Sequence, residues 1–224
     1  MNLFASIGIC LVPLFLLCIV FLLCIKNLSS LHLLLALLLG FISIIPVTII
    51  QYLLMNLPIF TSQNLLSVLV ITFIFNGLIE ESLKMTTCFC LPFKKMDFSS
   101  FLVCGILIGC AFGSFENIVY LLTGTKNISL RFFTSLILHC CCSGLSAIYV
   151  WSFKNKTPYL SCFIMAVLLH GVYNFFASSE KFWWFSIITI IYGFVRLKFS
   201  YEKIAFQDDS TLTEPTTENS NPSN

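Results

Sequence analysis

Charge is what this chain lacks most. Charged residues make up 10% of it and hydrophobic residues 58%, whereas soluble domains are about a quarter charged and about half apolar. That much polar surface cannot coat a globule, so a soluble fold is excluded. Aspartate is scarce: Asp97, Asp208 and Asp209 are the only ones, all outside the apolar segments. Paired aspartates of the aspartic-protease kind are therefore excluded. HExxH is absent and no serine triad is apparent. A net charge of +2 provides no basic surface for nucleic acid, and no nucleic-acid partner is expected. No positive residue precedes the first apolar run, so the N-terminus reads as a span rather than a cleaved signal. No inverted repeat or broken helix pair stands out, which counts against a transporter.

Cysteine is plentiful at eleven residues, but most lie within apolar runs. Cys140, Cys141 and Cys142 are consecutive and point in different directions on a helix, so they read as small hydrophobes. Cys88 and Cys90 are too close together for a zinc knuckle.

What is present is a succession of apolar runs of about 20 residues, the length that crosses a bilayer. The expected fold is all-α: a polytopic transmembrane bundle of about seven spans over 1–205, then a disordered polar cytoplasmic tail over 206–224. The spans are placed at Leu3–Ile25, Leu31–Leu54, Leu65–Cys90, Phe98–Leu122, Leu130–Phe153, Tyr159–Phe176 and Phe182–Phe199. With seven alternating spans, Lys26, Lys94, Lys95, Lys154, Lys156, Arg196, Lys198 and Lys203 share one side. Lys126, Arg131 and Lys181 are left for the other. Positive charge marks the cytoplasmic side, so the N-terminus is expected outside and the C-terminus inside.

A charge at mid-bilayer costs about 3 kcal/mol, so polar residues within the spans need a partner or a task. In the third span Asn76, Glu80 and Lys84 recur every four residues and form one stripe. Glu80 and Lys84 are spaced as an intrahelical ion pair, which leaves Glu81 with no local partner. The fourth span carries Gly105, Gly109, Gly113 and Asn117, with Glu116 beside them; the glycines read as helix packing. The fifth carries Arg131, Ser135, His139 and Ser143, and the sixth His170 and Asn174. At about 1.5 Å per residue the acids and histidines fall near the midplane or in the outer half. They are expected to share one water-filled cavity, and His32, near a helix start, is assigned no role.

Two adjacent carboxylates with two histidines suit hydrolysis by activated water. A carboxylate buried in an apolar bundle is a better general base than one in water, and a histidine with an amide can hold an oxyanion.

Four stretches match a family's motifs in order: EESLK (Glu80–Lys84), FGSFEN (Phe112–Asn117), HCCCS (His139–Ser143) and HGVYN (His170–Asn174). The chain resembles the PrsW family of glutamic-type intramembrane proteases, distant relatives of CAAX prenyl proteases and bacteriocin-processing enzymes. The resemblance covers Asn76 to Asn174. It implies peptide-bond hydrolysis in or beside the bilayer with no required metal or other cofactor. It implies that Glu80 and Glu81 are the essential acids, one of which activates water. His139 would polarise water or substrate, and Lys84 would tune the acids. His170 and Asn174 would stabilise the oxyanion, with Asn117 in support. Glu116 stands where the CAAX-type relatives carry a histidine, which leaves its role open. The implied partner is a membrane-anchored protein, with cleavage of an anti-sigma factor as the family's example. The implied location is a bacterial cytoplasmic membrane.

Two other readings of the same residues stay open. Glu, His and Lys can form a proton or ion relay. Glu80, Glu81, Glu116, His139 and His170 could also ligate zinc or iron in a metal-dependent hydrolase.

Overall fold

Every long apolar run folds as a helix, as backbone groups in a bilayer require. The computed structural model describes residues 3–55, 64–122 and 128–213. At 3, 55, 128–131 and 207–213 only the backbone is described. The helices are α1 (Leu3–Cys24), α2 (Ser30–Met55), α3 (Leu65–Phe89), α4 (Phe98–Leu122), α5 (Ile128–Lys154), α6 (Leu160–Ala177) and α7 (Phe185–Thr213). No strand occurs among the described residues. The first six are long and apolar enough to cross a membrane. α7 is more mixed: its apolar part ends at Val195, before Arg196, Lys198, Glu202 and Lys203. It runs on to Thr213, into the stretch expected as tail. α6 ends at Ala177, one residue past the expected Phe176, and the Ser178 N–H donates to Asn174 O at 3.1 Å.

α3 is not uniform. Ile71–Ile79 winds as a π-helix, and the Glu80 N–H bonds Phe75 O, five residues back. π segments are rare and frequently mark functional sites. This one lies directly before the two glutamates.

The centre of the bundle is α4 against α5. Within its span 83% of α4 is buried inside the protein, against 17% of α1. Apolar burial does not drive helix association in lipid; close packing of small residues does. The expected glycine stripe serves that purpose. A Cβ at Gly105 would meet Ala147, and one at Gly109 would strike the His139 carbonyl oxygen. α3 reaches α6 the same way: a Cβ at Gly77 would lie 2.8 Å from Val167 O, and one at Gly171 2.6 Å from the Phe73 ring.

The lysine-rich ends gather at one end of the bundle. Asn27 donates to Asp97 Oδ2 at 2.6 Å, Lys154 Nζ donates to Phe89 O at 2.9 Å, and Ser99 bonds Tyr201 at 3.3 Å. Asp97 also caps α4, accepting from the Ser100 N–H at 2.7 Å. Partial burial pushes its carboxyl up, but these hydrogen bonds outweigh that and hold it below the usual range.

Candidate active site

Four of the helices deliver their polar residues to one buried point. Glu80, Glu81, Lys84, His139 and His170 are all at most 3% exposed. The polar residues expected to face one another from α3, α4, α5 and α6 are thus brought together.

Glu81 is its hub. Its Oε1 accepts from Lys84 Nζ at 2.5 Å and from His170 Nδ1 at 2.6 Å. Lys84 Nζ also lies 3.1 Å from His139 Nδ1 and 4.7 Å from the centre of the Phe112 ring. His139 Nε2 lies 2.8 Å from Glu116 Oε2. Glu116 is further held by Tyr120 and Ser135, at 3.1 and 3.4 Å. It is the most exposed of the acids, at 19%.

Donor chemistry assigns the ring protons. An ammonium only donates, so His139 Nδ1 accepts from Lys84 and its proton sits on Nε2, donated to Glu116. Glu81, which receives the ammonium, is a carboxylate, so His170 donates to it through Nδ1–H. In the neutral ring His170 Nε2 is then a bare lone pair. It faces Glu80 Oε2 at 3.7 Å. Glu80 Oε1 accepts from Gln51 Nε2 at 3.0 Å, while Glu80 Oε2 is buried with no hydrogen-bond partner.

Two expectations need correcting. The ion pair of Lys84 is with Glu81, three residues back, and not with Glu80, four back. The residue without a local partner is therefore Glu80. Asn76, half-buried, makes no hydrogen bond with this group. The α-helical stripe that joined it to Glu80 and Lys84 is broken by the π turn between them.

Gln51 was missed. It is the lone amide within the apolar α2, and that isolation was the one available signal. Asn117 sits off the centre: its Nδ2 donates to Phe132 O at 3.0 Å and clamps α4 to α5. Asn174 lies one turn beyond His170, donating to the His170 carbonyl at 3.4 Å. The side chain of Arg131 lies outside the described residues.

Gly113 sets the position of His139. A Cβ there would lie 2.7 Å from His139 Cδ2, so the ring would have to move. A displacement of about 1 Å at a catalytic centre costs about 10²-fold in rate. Gly113→Ala is expected to accumulate in membranes and lose activity on that scale, measured as initial cleavage rate at matched enzyme levels. A wild-type rate would mean that the position of His139 is unimportant.

The same residues fit a metal ion. One donor atom each of Glu80, His139 and His170 lie within 4.8 Å of one another. Two histidines and a glutamate are a known catalytic zinc set, with bonds of about 2.0–2.2 Å. One ion at such distances reaches both Glu80 Oε2 and His170 Nε2. Glu81 behind His170 Nδ1 is the usual carboxylate support of a metal-binding histidine. His139 fits less freely, because both its nitrogens are engaged and one contact would have to give way.

The chain matches the family model described as PrsW family intramembrane metalloprotease over residues 29–198. It is 27% identical over 180 residues to Protease PrsW of Clostridioides difficile (strain 630), covering 74% of each chain. It is 27% identical over 162 residues to Protease PrsW of Oceanobacillus iheyensis, covering 68% of this chain and 71% of the relative. No solved structure matches. The family description includes a metal where the sequence motifs led us to expect none. The matched region holds the whole buried acid–histidine cluster and all but the first helix of the six that can span a membrane, and the chain belongs to the PrsW family of intramembrane proteases.

Proposed function

We propose that the chain is an endopeptidase that cuts membrane-anchored proteins with a water molecule held between Glu80 and His170. One observation carries this reading. Two buried acceptors, Glu80 Oε2 and His170 Nε2, face each other at 3.7 Å. A water molecule can donate a proton to each and so satisfy both, and a metal ion bound by both is the other occupant this pair would take. The oxygen lone pair of the water then points away from both, towards a substrate carbonyl.

The water oxygen attacks the carbonyl carbon while Glu80 takes a proton from it. The tetrahedral intermediate collapses as that proton passes to the leaving nitrogen and the C–N bond breaks. Glu81 fixes the ring of His170 through Nδ1, and Lys84 neutralises Glu81 at the buried centre. Gln51 orients Glu80 through its other oxygen. Asn174, on the same side of α6 as His170, is our candidate donor to the oxyanion. Glu116, the most exposed acid, holds His139. A metal bound by Glu80, His170 and His139 would supply Lewis-acid polarisation of the water and the carbonyl.

We place the enzyme in the bacterial cytoplasmic membrane, with its lysine-rich end and C-terminus inside. The proposed substrates are membrane proteins cut for regulation, as with anti-sigma factors.

The test compares membrane-protein fragments by proteomics in cells carrying wild-type or Glu80→Ala enzyme. Fragments present only with the wild type support the reading. Identical fragment sets, with both proteins inserted, would end it. Metal analysis of the purified full-length chain is expected to find a metal that strips out in chelator together with activity, if the metal acts in the site. Cleavage undiminished in chelator would leave the work to the side chains alone.

A further inference from the structure

Away from the acid–histidine cluster, a second polar cavity lies near the lysine-rich end, between α5, the start of α6 and α7. Its volume is about 170 Å³, and Tyr159, Ser161, Cys162, Arg196, Ser200 and Lys203 contribute to its walls. Arg196, Ser200 and Lys203 recur at four and three residues, so they share one face of α7. That face meets the N-terminus of α6.

Several features of this cavity are unbalanced in the same sense. The Nε of Arg196 is buried and has no hydrogen-bond partner. Among the described residues no acidic side chain forms an ion pair with Arg196 or Lys203; the nearby pair on α7 joins Lys198 to Glu202 instead. Lys203 Nζ lies over the Tyr159 ring at 4.6 Å, which positions the cation at the cavity wall. The N-cap of α6, Tyr159, makes no side-chain capping bond; its carbonyl takes the Cys162 N–H at 2.9 Å, which leaves the Leu160 and Ser161 N–H groups for an outside acceptor. Ser200 is buried, and its Oγ accepts only the weak Cys162 thiol at 3.7 Å among the described contacts.

Arg196 is half-buried, and a guanidinium partly withdrawn from water without a counter-charge is costly. Two cations, hydroxyls and an uncapped helix start form a site of one chemistry. Arginine and helix N-termini both favour phosphate, which accepts several charge-assisted hydrogen bonds at once. Lys26, Lys94, Lys95 and Lys156 at this end are explained by orientation alone, because they lie in connections open to solvent. Arg196 is not, since it lines the cavity and its Nε is buried without a hydrogen-bond partner among the described residues.

We infer that this cavity is a phosphate-binding site, filled by the phosphate of a membrane lipid or by a free phosphate. The lipid is the source the location favours, because basic pockets between membrane helices near the cytoplasmic surface hold anionic headgroups.

The test uses the full-length chain purified in a phosphate-free maltoside detergent and stripped of lipid. Thermal unfolding is followed while dioleoyl phosphatidylglycerol, inorganic phosphate or dioleoylglycerol is added. Saturable stabilisation by phosphatidylglycerol but not by dioleoylglycerol supports a lipid phosphate. Saturable stabilisation by inorganic phosphate supports a free anion. In either case Arg196→Gln is expected to weaken binding roughly tenfold or more, because charge-assisted bonds are lost. Arg196→Lys should recover part of it, and Lys198→Gln, outside the cavity, should bind as wild type. Should Arg196→Gln fail to fold, Lys203→Gln serves in its place with the same expected loss. Stabilisation by neither phosphate compound, or stabilisation unchanged in both cavity variants, would overturn the inference and leave a cavity that holds water.

Discussion

Glu80→Gln is expected to insert and accumulate like the wild type and to lose cleavage by about 10²–10⁴-fold, the usual contribution of a general base. The substitution keeps the shape of the side chain. Its amide oxygen can still accept from Gln51, which bonds Glu80 Oε1 at 3.0 Å. It places an NH₂ or a neutral oxygen where Glu80 Oε2 now faces His170 Nε2 at 3.7 Å. An amide cannot take a proton from water at neutral pH. The loss should therefore appear in cleavage of a reconstituted membrane substrate and not in protein level. Wild-type cleavage by Glu80→Gln would show that Glu80 is not the base. Gln51→Leu removes only the orientation of that carboxylate and should cost less, about tenfold, in the same assay.

Glu81 and Lys84 are expected to act on stability as well as on activity. Both are fully buried, and they form the ion pair at the hub of the site. Breaking a buried pair by removing one partner costs about 3–5 kcal/mol, because the other charge stays behind unpaired. Glu81→Leu takes from the Lys84 ammonium its one ion-pair partner among the described residues and leaves it beside His139 Nδ1 and the Phe112 ring. It should fall sharply in membrane accumulation and in thermal stability. Replacing both, as Glu81→Leu with Lys84→Met, removes both charges from the apolar interior. The double variant should recover most of the stability, since an apolar pair of similar volume is often neutral or better. It should remain inactive, because His170 then loses the partner that orients its ring and assigns its proton. Recovery of cleavage along with stability would reduce the pair to a structural role.

The expectation that Glu80 pairs with Lys84 failed for a local reason. It rests on α-helical spacing, and residues three and four apart are both neighbours on a helix. The choice between Glu80 and Glu81 is made by what faces them: His170 of α6, 2.6 Å from Glu81, and Gln51 of α2, 3.0 Å from Glu80. Neither contact is visible in the local sequence around the glutamates. The π turn over Ile71–Ile79 was equally hidden, because it differs from α-helix by a single residue per turn within an unbroken apolar run.

The sequence by itself determined that this chain is a helical membrane protein and which of its polar residues meet inside the bundle. Both follow from one fact: lipid offers no partner to a polar group, so apolar runs of bilayer length must be helices, and acids or histidines within them must meet one another. Glu80, Glu81, Glu116, His139 and His170 were legible for that reason, as was the glycine face of α4 that lets α5 approach. The tertiary structure decided the roles within the set: which glutamate is paired and which is open, that Gln51 belongs to the site, and that Asn117 is a clamp beside it. It also set Arg196 against a polar cavity at the start of α6. These depend on how helices distant in sequence are rotated against one another, and the packing of small residues across their faces sets that rotation.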